Sequence, residues 1–564
     1  MNTKQIAYYL AILITFLFVE KNLMAQTDLP EVKKQKLIEQ IWLTTDRQIY
    51  CAEESILFSI YNNSARPMQR NDWSQVVYID LLTPDGEIIE QQKLNYSRKA
   101  SGKIKLPRWV LTGNYYLRAY TRWMRNFPSQ LQDYKMVSII NPFRQELLES
   151  NGQQSLQNKN HSSPKYTPGV EIETTKQNYI QREQVTVGYT IAEPNYQQGP
   201  VLATVVRKGT EQSQAASVIN TTNNATTSEF IPETRGVSVS GTVVNETDSL
   251  PLPYTLVGLT VFKDNPENLN LLTNENGRFF FDLGNLKGNY ELFISSKGKE
   301  EGVHPLILVD NDFETRLTTL PFVPIDFSPK YRELYETLSF TSQVHQLYQE
   351  QQAQKQAQKH QKEAAFYGTP DFSLDFDAYI ELPSVEEYLH ELVPRVRVKK
   401  NHTRKTLAVT GADPELSIYS PLVLIDMVSV FDTEKILALD PKRLKKMEVI
   451  SQPYIRGDIT YGGIISFFSR KGDLAGLDLP SAGRFISYKL LAETQATFQP
   501  ELPGERIPDL RNCLFWSSEL TTDKQGTGSF SFHTGDNTGT YLIILQGINQ
   551  NGKTWQASHE IQIQ

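Results

Sequence analysis

Apolar residues alternate with other residues over short runs along most of this chain, and three of the runs share one spacing. Each reads Gly-x-Φ-x-Φ, six residues, then Gly-x-Tyr-x-Φ-x-Φ, where Φ is apolar. The first is Gly102, Ile104, Leu106, Gly113, Tyr115, Leu117 and Ala119. The second is Gly277, Phe279, Phe281, Gly288, Tyr290, Leu292 and Ile294. The third is Gly528, Phe530, Phe532, Gly539, Tyr541, Ile543 and Leu545. The offset between the glycines is 11 each time (113 − 102, 288 − 277, 539 − 528). A period of two marks a strand with one buried face. Glycine at the start of a strand permits a turn with positive φ. The pattern predicts at least three β-sandwich modules, each closed by a similar hairpin.

A second repeat has a different offset. Thr45, Arg47, Gln48, Tyr50, Glu54, Ile56 and Phe58 match Thr174, Lys176, Gln177, Tyr179, Glu183, Val185 and Val187, each 129 residues later (174 − 45). Two related modules therefore stand in tandem, 41–145 and 169–233, joined by the polar stretch NGQQSLQNKNHSSPKYTPG. The second is short. Its strands are clear to Val206, residues 209–229 turn Ser/Thr/Asn-rich, and it reads as an incomplete sandwich leaning on its neighbours. Residues 235–326 form another β unit. From 329 to 366 the pattern becomes helical, with Leu334, Leu338, Val344 and Leu347 as a loose stripe before a polar QEQQAQKQAQKHQKEAA tract, which reads as a spacer. In 383–475 helix and strand mix: Ser384 can cap SVEEYLHELV, Asp440-Pro441 can open the helix DPKRLKKM, and LVLIDMVSV, MEVIS and GIISFFS are strands. Residues 480–564 return to pure β as a C-terminal sandwich.

With 564 residues and a net charge of −7, the chain has room for several domains and no global basic footprint for nucleic acid. Lys4, the apolar run Ile6 to Val19 and Leu23-Met24-Ala25 read as a secretory signal over 1–25, and 27–40 as a short charged helix. The mature chain is expected to be exported, periplasmic and associated with the outer membrane. Cys51 and Cys513 are the only cysteines; an oxidising compartment would allow them to pair, and two buried free thiols is the favoured reading.

Several stretches resemble known families. Asp46-Arg47-Gln48-x-Tyr50 with Glu54, followed by GNYYLRAYTRWMRNF, resembles the macroglobulin-type β-sandwich of α2-macroglobulin-like proteins, with Glu53 where a glycine is usual. IPDLRNCLFWSSELTTDKQGTGSFSFHTGD resembles a later sandwich of that family. Gly241, Val243, Thr273, Gly277 and Phe279 resemble the carboxypeptidase regulatory-like (transthyretin-like) module, which carries no catalytic residues. SVEEYLHELVPRVRV, PLVLIDMVSVFD, LDPKRLKKMEVIS and YGGIISFFSRKG resemble the plug domain of TonB-dependent outer-membrane receptors, with Asp426-Met427 where Asp-Gly is usual. The order of these modules resembles that of large exported proteins of Gram-negative bacteria. The expected fold class is mainly β: tandem Ig-like or macroglobulin-like sandwiches, one α+β plug-like domain and a helical spacer. A receptor needs a many-stranded barrel after its plug, and the 89 residues after Ala475 (564 − 475) read as one sandwich. A macroglobulin trap needs a Cys-Gly-Glu-Gln thioester, and neither YCAEES nor RNCLFW supplies one.

No His-x-x-x-His pair, Cys/His cluster, Gly-x-Ser-x-Gly elbow or phosphate-binding loop occurs. The expectation is a protein that is not an enzyme, with no cofactor and no metal. Basic residues concentrate in RVRVKKNHTRK and PKRLKKM. Arg395, Arg397, Lys399, Lys400, Lys445 and Lys446 are the candidate partner-docking residues, for an acidic partner or an anionic lipid surface. The function expected from the resemblance is a scaffold that docks on or plugs an outer-membrane β-barrel complex. The alternative is a macroglobulin-like protease- or peptide-binding protein without a thioester.

Overall fold

The computed structural model describes residues 39–63, 74–149, 169–197, 199–211, 230–263, 266–298, 303–316, 320–353, 367–401, 404–411, 418–456, 459–477, 483–499, 507–549 and 552–564. The expected signal 1–25 lies outside these residues, as do the charged helix before residue 39 and most of 209–229.

Domain 1 has eight strands: Ile41–Thr45 (β1), Ile49–Cys51 (β2), Ser55–Asn62 (β3), Val76–Leu82 (β4), Ile88–Asn95 (β5), Lys99–Lys105 (β6), Gly113–Thr121 (β7) and Asp133–Ile140 (β8). Sheet β1-β3-β6 faces sheet β2-β8-β7-β4-β5. The alternation written into β7 is hidden, because all nine of its residues are buried. One face packs in the core. The other is covered by a later segment, whose Glu314, Pro321 and Val323 carbonyls accept from Arg118, Tyr116 and Asn114.

Domain 2 begins with Val170–Thr174 (β9), Asn178–Tyr179 (β10), Gln184–Ile191 (β11) and Val201–Arg207 (β12). Domain 3 follows with Ser238–Asn245 (β13), Leu256–Phe262 (β14), Glu267–Leu272 (β15), Arg278–Asp282 (β16), Asn289–Lys297 (β17) and Pro305–Val309 (β18). Helix Pro329–Ala353 (α1) packs Tyr331, Leu334, Tyr335 and Leu338 on Ile49, Cys51 and Ile140 of domain 1, so its first half is attached rather than solvated. The rest of the expected spacer, 354–366, lies outside the described residues.

Domain 4 holds Phe372–Asp375 (β19), Val385–Leu392 (α2), Val396–Asn401 (β20), Arg404–Val409 (β21), Leu422–Ile425 (β22), Val428–Ser429 (β23), Thr433–Leu437 (α3), Leu444–Ile450 (β24), Tyr454–Arg456 (β25), Ile459–Tyr461 (β26) and Ile464–Ser469 (β27). Its five-stranded sheet runs β19-β24-β27-β22-β23. Ser384 caps α2 as expected, accepting from Glu387 N–H at 3.3 Å. The helix expected at DPKRLKKM is a single 3₁₀ turn, Pro441–Arg443, and Lys445 and Lys446 lie on β24 instead. Pairing with β19 and β27 on both sides overrides the helix propensity of the lysines.

The chain then returns. Arg484–Lys489 (β28) joins domain 3, whose sheets are β16-β13-β18 and β15-β14-β17-β28. Thr497–Phe498 (β29), Cys513–Leu520 (β30), Thr527–His533 (β31), Gly539–Ile548 (β32) and Thr554–Ile563 (β33) join domain 2, giving sheets β10-β33-β32-β12-β30-β29 and β31-β11-β9. The expected short sandwich at 169–233 and the expected C-terminal sandwich at 480–564 are therefore one domain. Strand β12 sits between β30 and β32, and β11 pairs along its length with β31. Domain 4 is inserted in domain 3, and domain 3 in domain 2.

The three spaced runs are not hairpins. β6 and β7, β16 and β17, and β31 and β32 each fall in opposite sheets of one sandwich. Each pair is an arch over the core, so both apolar faces meet across it rather than side by side. Gly277, Gly288 and Gly539 have positive φ, whereas a Cβ on Gly528 would strike the Tyr189 ring at 2.3 Å.

Candidate docking surface

Among the described residues, strands β20 and β21 form a hairpin paired only with each other. Val396, Leu407 and Val409 bury one face against the domain 4 core. The six candidate residues do not form one patch. Arg397 and Lys399 stand on the outward face, exposed and two residues apart. Arg404, which belongs to the same basic stretch and pairs with Asn401, falls on that same face. Lys400 is on the other face, directly across from Lys405. Like charges opposed in a ladder repel, and Lys405 is answered by Glu386. Arg395 is bound to Ser451, just past β24, which Asp371 holds in turn. Lys445 and Lys446 lie at the far end of β24, where Lys446 pairs with Glu448. The outward cationic stripe is thus Arg397, Lys399 and Arg404.

Domain 4 is seated on domain 3 by the turn joining β22 to β23. Asp426 and Met427 both have positive φ (45° and 68°), as a two-residue turn between twisted strands requires. Glycine is the residue that adopts such a conformation without strain. Here Met427 buries its side chain among Leu422, Leu424, Tyr461 and Ile464. Its carbonyl accepts from Thr260 Oγ1 at 3.2 Å and Asn268 Nδ2 at 3.3 Å, and Ser429 Oγ donates to Asn268 Oδ1 at 2.9 Å. A Cβ on Gly258 would meet Asn270 Oδ1 at 2.8 Å and Phe431 at 3.1 Å, so the strand backbone must be bare there. The Asp426 carboxylate accepts from Ser469 N–H, Ser469 Oγ and Leu474 N–H, tying the turn to the point where the chain leaves domain 4.

Behind this seat, domains 1 and 3 are joined by buried ions. Lys93 Nζ and Asp312 Oδ2 are 2.6 Å apart at 1% and 3% exposure. Tyr488, on β28, donates to the same carboxylate and to Ser238 O. Arg122 donates to Ser238 Oγ and Ser240 Oγ and lies 3.8 Å from Glu233. Glu233 accepts from Tyr78 at 2.7 Å. Burial pushes the Glu233 carboxyl up, against the pull of Arg122. Arg125 donates to the carbonyls of Asn311 and Asp312. Charges matched and enclosed this way fix an orientation. Sequence reasoning missed these residues because Glu233 and Asp310 to Asp312 sit in connectors with no periodicity. The one available signal was the small polar face Ser238 and Ser240 inside a strand.

Domain 2 covers the outer face of sheet β1-β3-β6. Leu57 packs among Val206, Cys513, Trp516, Leu542 and Ile544, and Tyr61 donates to Ser518 O at 2.8 Å. Cys51 and Cys513 are both buried and unpaired. Among the described residues no group of three or more His, Cys, Asp or Glu side chains is placed to hold a metal ion.

No family model and no curated protein matches the sequence. Solved structures do align. An α2-macroglobulin of Salmonella that has reacted with methylamine aligns at 9% identity and a TM-score of 0.23, over 93% of this chain and 39% of that one. The native Escherichia coli α2-macroglobulin aligns at 8% identity and 0.24, over 94% and 40%. A tetra-tandem repeat from the extending region of a large adhesion protein aligns at 9% identity and 0.15, over 93% and 100%. This chain spans about two fifths of the length of those α2-macroglobulins. TM-scores this low do not establish a shared topology.

Proposed function

We propose that this chain is a non-enzymatic, exported scaffold that works in the periplasm and docks on an outer-membrane β-barrel protein or complex through domain 4. The observation that carries the reading is the pairing of two features. Domain 4 displays Arg397, Lys399 and Arg404 on one face of a hairpin that pairs with no other strand among the described residues. The same domain is locked to the rest through a buried polar seat at Met427 and Ser429. A domain that only filled space would not need a fixed orientation. A cationic face on a fixed mount suits an acidic rim on a partner, because opposed potentials steer and register an encounter.

The test is recovery from outer membranes. The tagged chain should retain a β-barrel protein, and the double variant Arg397→Glu/Lys399→Glu should lose most of it at low salt while melting as the parent does. Retention of no barrel protein, or equal retention by parent and variant, would remove the docking role.

A further inference from the structure

Single apolar residues on a surface are ordinary, but the loop joining β6 to β7 in domain 1 holds a tryptophan out to solvent. Among the described residues, Trp42, Trp123, Trp516 and Trp555 are buried or half-buried, whereas Trp109 is 56% exposed. An indole offers roughly 150–250 Å² of surface, most of it apolar. Removing that surface from water is a standing source of binding free energy.

The loop backbone is fixed, so the ring is held where it stands. Asn141 Nδ2 donates to Arg108 O at 2.8 Å and to Val110 O at 2.5 Å. Arg144 Nη1 donates to Trp109 O at 2.9 Å. Tyr115 Oη donates to Leu111 O at 2.9 Å, and Leu148 N–H to Thr112 O at 2.8 Å. Five consecutive carbonyls are thus bonded within the protein, where a surface loop commonly leaves them to water. Asn141 is itself fixed, its N–H donating to Thr112 Oγ1 at 2.9 Å and its Oδ1 accepting from Phe143 N–H at 2.8 Å. Segment 141–148 lies so close that a Cβ on Gly113 would meet Leu148 Cβ at 2.5 Å.

Cations flank the ring. The Arg108 guanidinium stacks on Phe143, 4.3 Å from the ring centroid. Arg144 pairs with Glu146 at 3.3 Å, but both are exposed, so that pair adds little. Residues 103–113 carry Lys103, Lys105 and Arg108 with no acid, and 141–149 add Arg144 against Glu146 and Glu149. Cations therefore outnumber acids here, in a chain whose net charge is −7. Leu147, bridged to Thr112, adds a second apolar side chain at 47% exposure. Both arginines are tethered, one on Phe143 and one on the Trp109 carbonyl, so the indole leads and the guanidinium groups follow.

We infer that this tip of domain 1 is a membrane-contact site, at which Trp109 and Leu147 enter the headgroup region of a bilayer containing anionic phospholipid while Arg108 and Arg144 meet its phosphates. An indole favours that boundary because its body is apolar and its N–H is polar. A guanidinium is weakly hydrated and matches phosphate oxygens in pairs. An anionic surface attracts a basic segment and holds it within a Debye length. The loop is ordered before contact, so little conformational freedom is lost on binding. The contact is separate from the docking proposed for domain 4 and needs no protein partner, and that makes the two separable by experiment.

The probe is a set of protein-free vesicles, phosphatidylcholine alone or mixed with phosphatidylglycerol, floated with the full chain. Binding to the mixed vesicles is expected, weakening as salt is raised. Trp109→Ala should lower the partition coefficient at least about tenfold and leave the melting curve unchanged. Trp109→Tyr should keep part of the binding, because tyrosine also favours the boundary. Arg108→Glu should reduce binding to the mixed vesicles only. Brominated acyl chains should quench the parent's fluorescence and not that of Trp109→Ala. Absence of flotation, or equal flotation by Trp109→Ala, would overturn the inference, as would equal binding to the neutral vesicles. Loss of flotation in Arg397→Glu/Lys399→Glu would move the contact to domain 4 and remove it from this loop. Retention that needs outer-membrane proteins and fails on pure lipid would make Trp109 an anchor for a protein instead.

Discussion

Domains 1 and 2 open on the same device and use it under opposite conditions. In domain 1, Thr45 Oγ1 donates to Arg47 O, Arg47 N–H donates to Tyr50 Oη, and Glu54 takes the Arg47 guanidinium and the Cys51 N–H. In domain 2, Thr174 Oγ1 donates to Lys176 O, Lys176 N–H donates to Tyr179 Oη, and Glu183 takes Lys176 Nζ and the Ile180 N–H. The strand that follows is parallel to its neighbour in both, β2 to β8 and β10 to β33. The settings differ. Arg47 is 4% exposed and Lys176 57%. Asp46, fully buried, adds a second carboxylate at 2.6 Å from Arg47, where domain 2 has Thr175. Domain 2 packs over the domain 1 copy, and Asn512 donates to Glu54 at 2.9 Å. The bonds are alike, so burial decides what each copy is worth.

The comparison breaks most sharply at the basic residue. Arg47→Ala leaves Asp46 buried and unpaired, and should cost about 3–5 kcal/mol. Lys176→Ala removes a solvated partner and should leave the urea midpoint within error. Equal losses would mean that the device is local and that the cover of domain 2 adds nothing.

Acid separates the two domains next. Burial raises the carboxyls of Glu39 and Asp133 in domain 1 above 4.5 and 3.8. Hydrogen bonds from Arg182, Thr527 and Lys176 lower those of Asp536, Asp523 and Glu183 in domain 2 below 3.8, 3.8 and 4.5. A raised carboxyl binds its proton more tightly when folded, so the domain 1 groups add stability as pH falls toward the unfolded values. A lowered carboxyl contributes stability above the unfolded value and loses it as pH falls through the folded one. Domain 2 should therefore open before domain 1 below about pH 4. Hydrogen exchange, corrected for intrinsic rates and read on peptides of β7 and β32, checks the order. Simultaneous opening would show that the buried contacts between the domains outweigh their own titrations.

Such differences mark what was legible in the sequence. The matched residues at 45–58 and 174–187 gave the shared device, the alternating runs gave strands, and Ser384 gave a helix start, because each is a local relation. Pairing is not local. Nothing in Val201–Arg207 says that its neighbours are β30 and β32, more than 300 residues on. Alternation says which face is buried but not which sheet a strand joins, so arches read as hairpins. The basic residues clustered in sequence but were parted by strand parity at Lys400 and by separate elements at Lys445. The buried ions at Lys93, Arg122, Glu233 and Asp312 come from four distant segments, and their complementarity exists only after folding.

The smallest test concerns the residue just before each glutamate. Glu53 and Arg182 both have positive φ, 70° and 57°, a conformation that favours glycine. A side chain there crowds the following carbonyl, at a cost of about 1 kcal/mol that glycine avoids. Glu53→Gly should therefore stabilise the chain by roughly that amount, offset in part by the greater freedom of glycine in the unfolded chain. Arg182→Gly relieves the same crowding but removes a side chain that binds Asp536 at 2.7 Å and Ile507 O at 2.7 Å, so its net effect should be a loss. Opposite signs in a urea titration would show that domain 2 tolerates a strained residue because its side chain ties β11 to the returning segment, a tie domain 1 does not need. Gains of equal size would mean that the Arg182–Asp536 pair contributes nothing to closing the split domain.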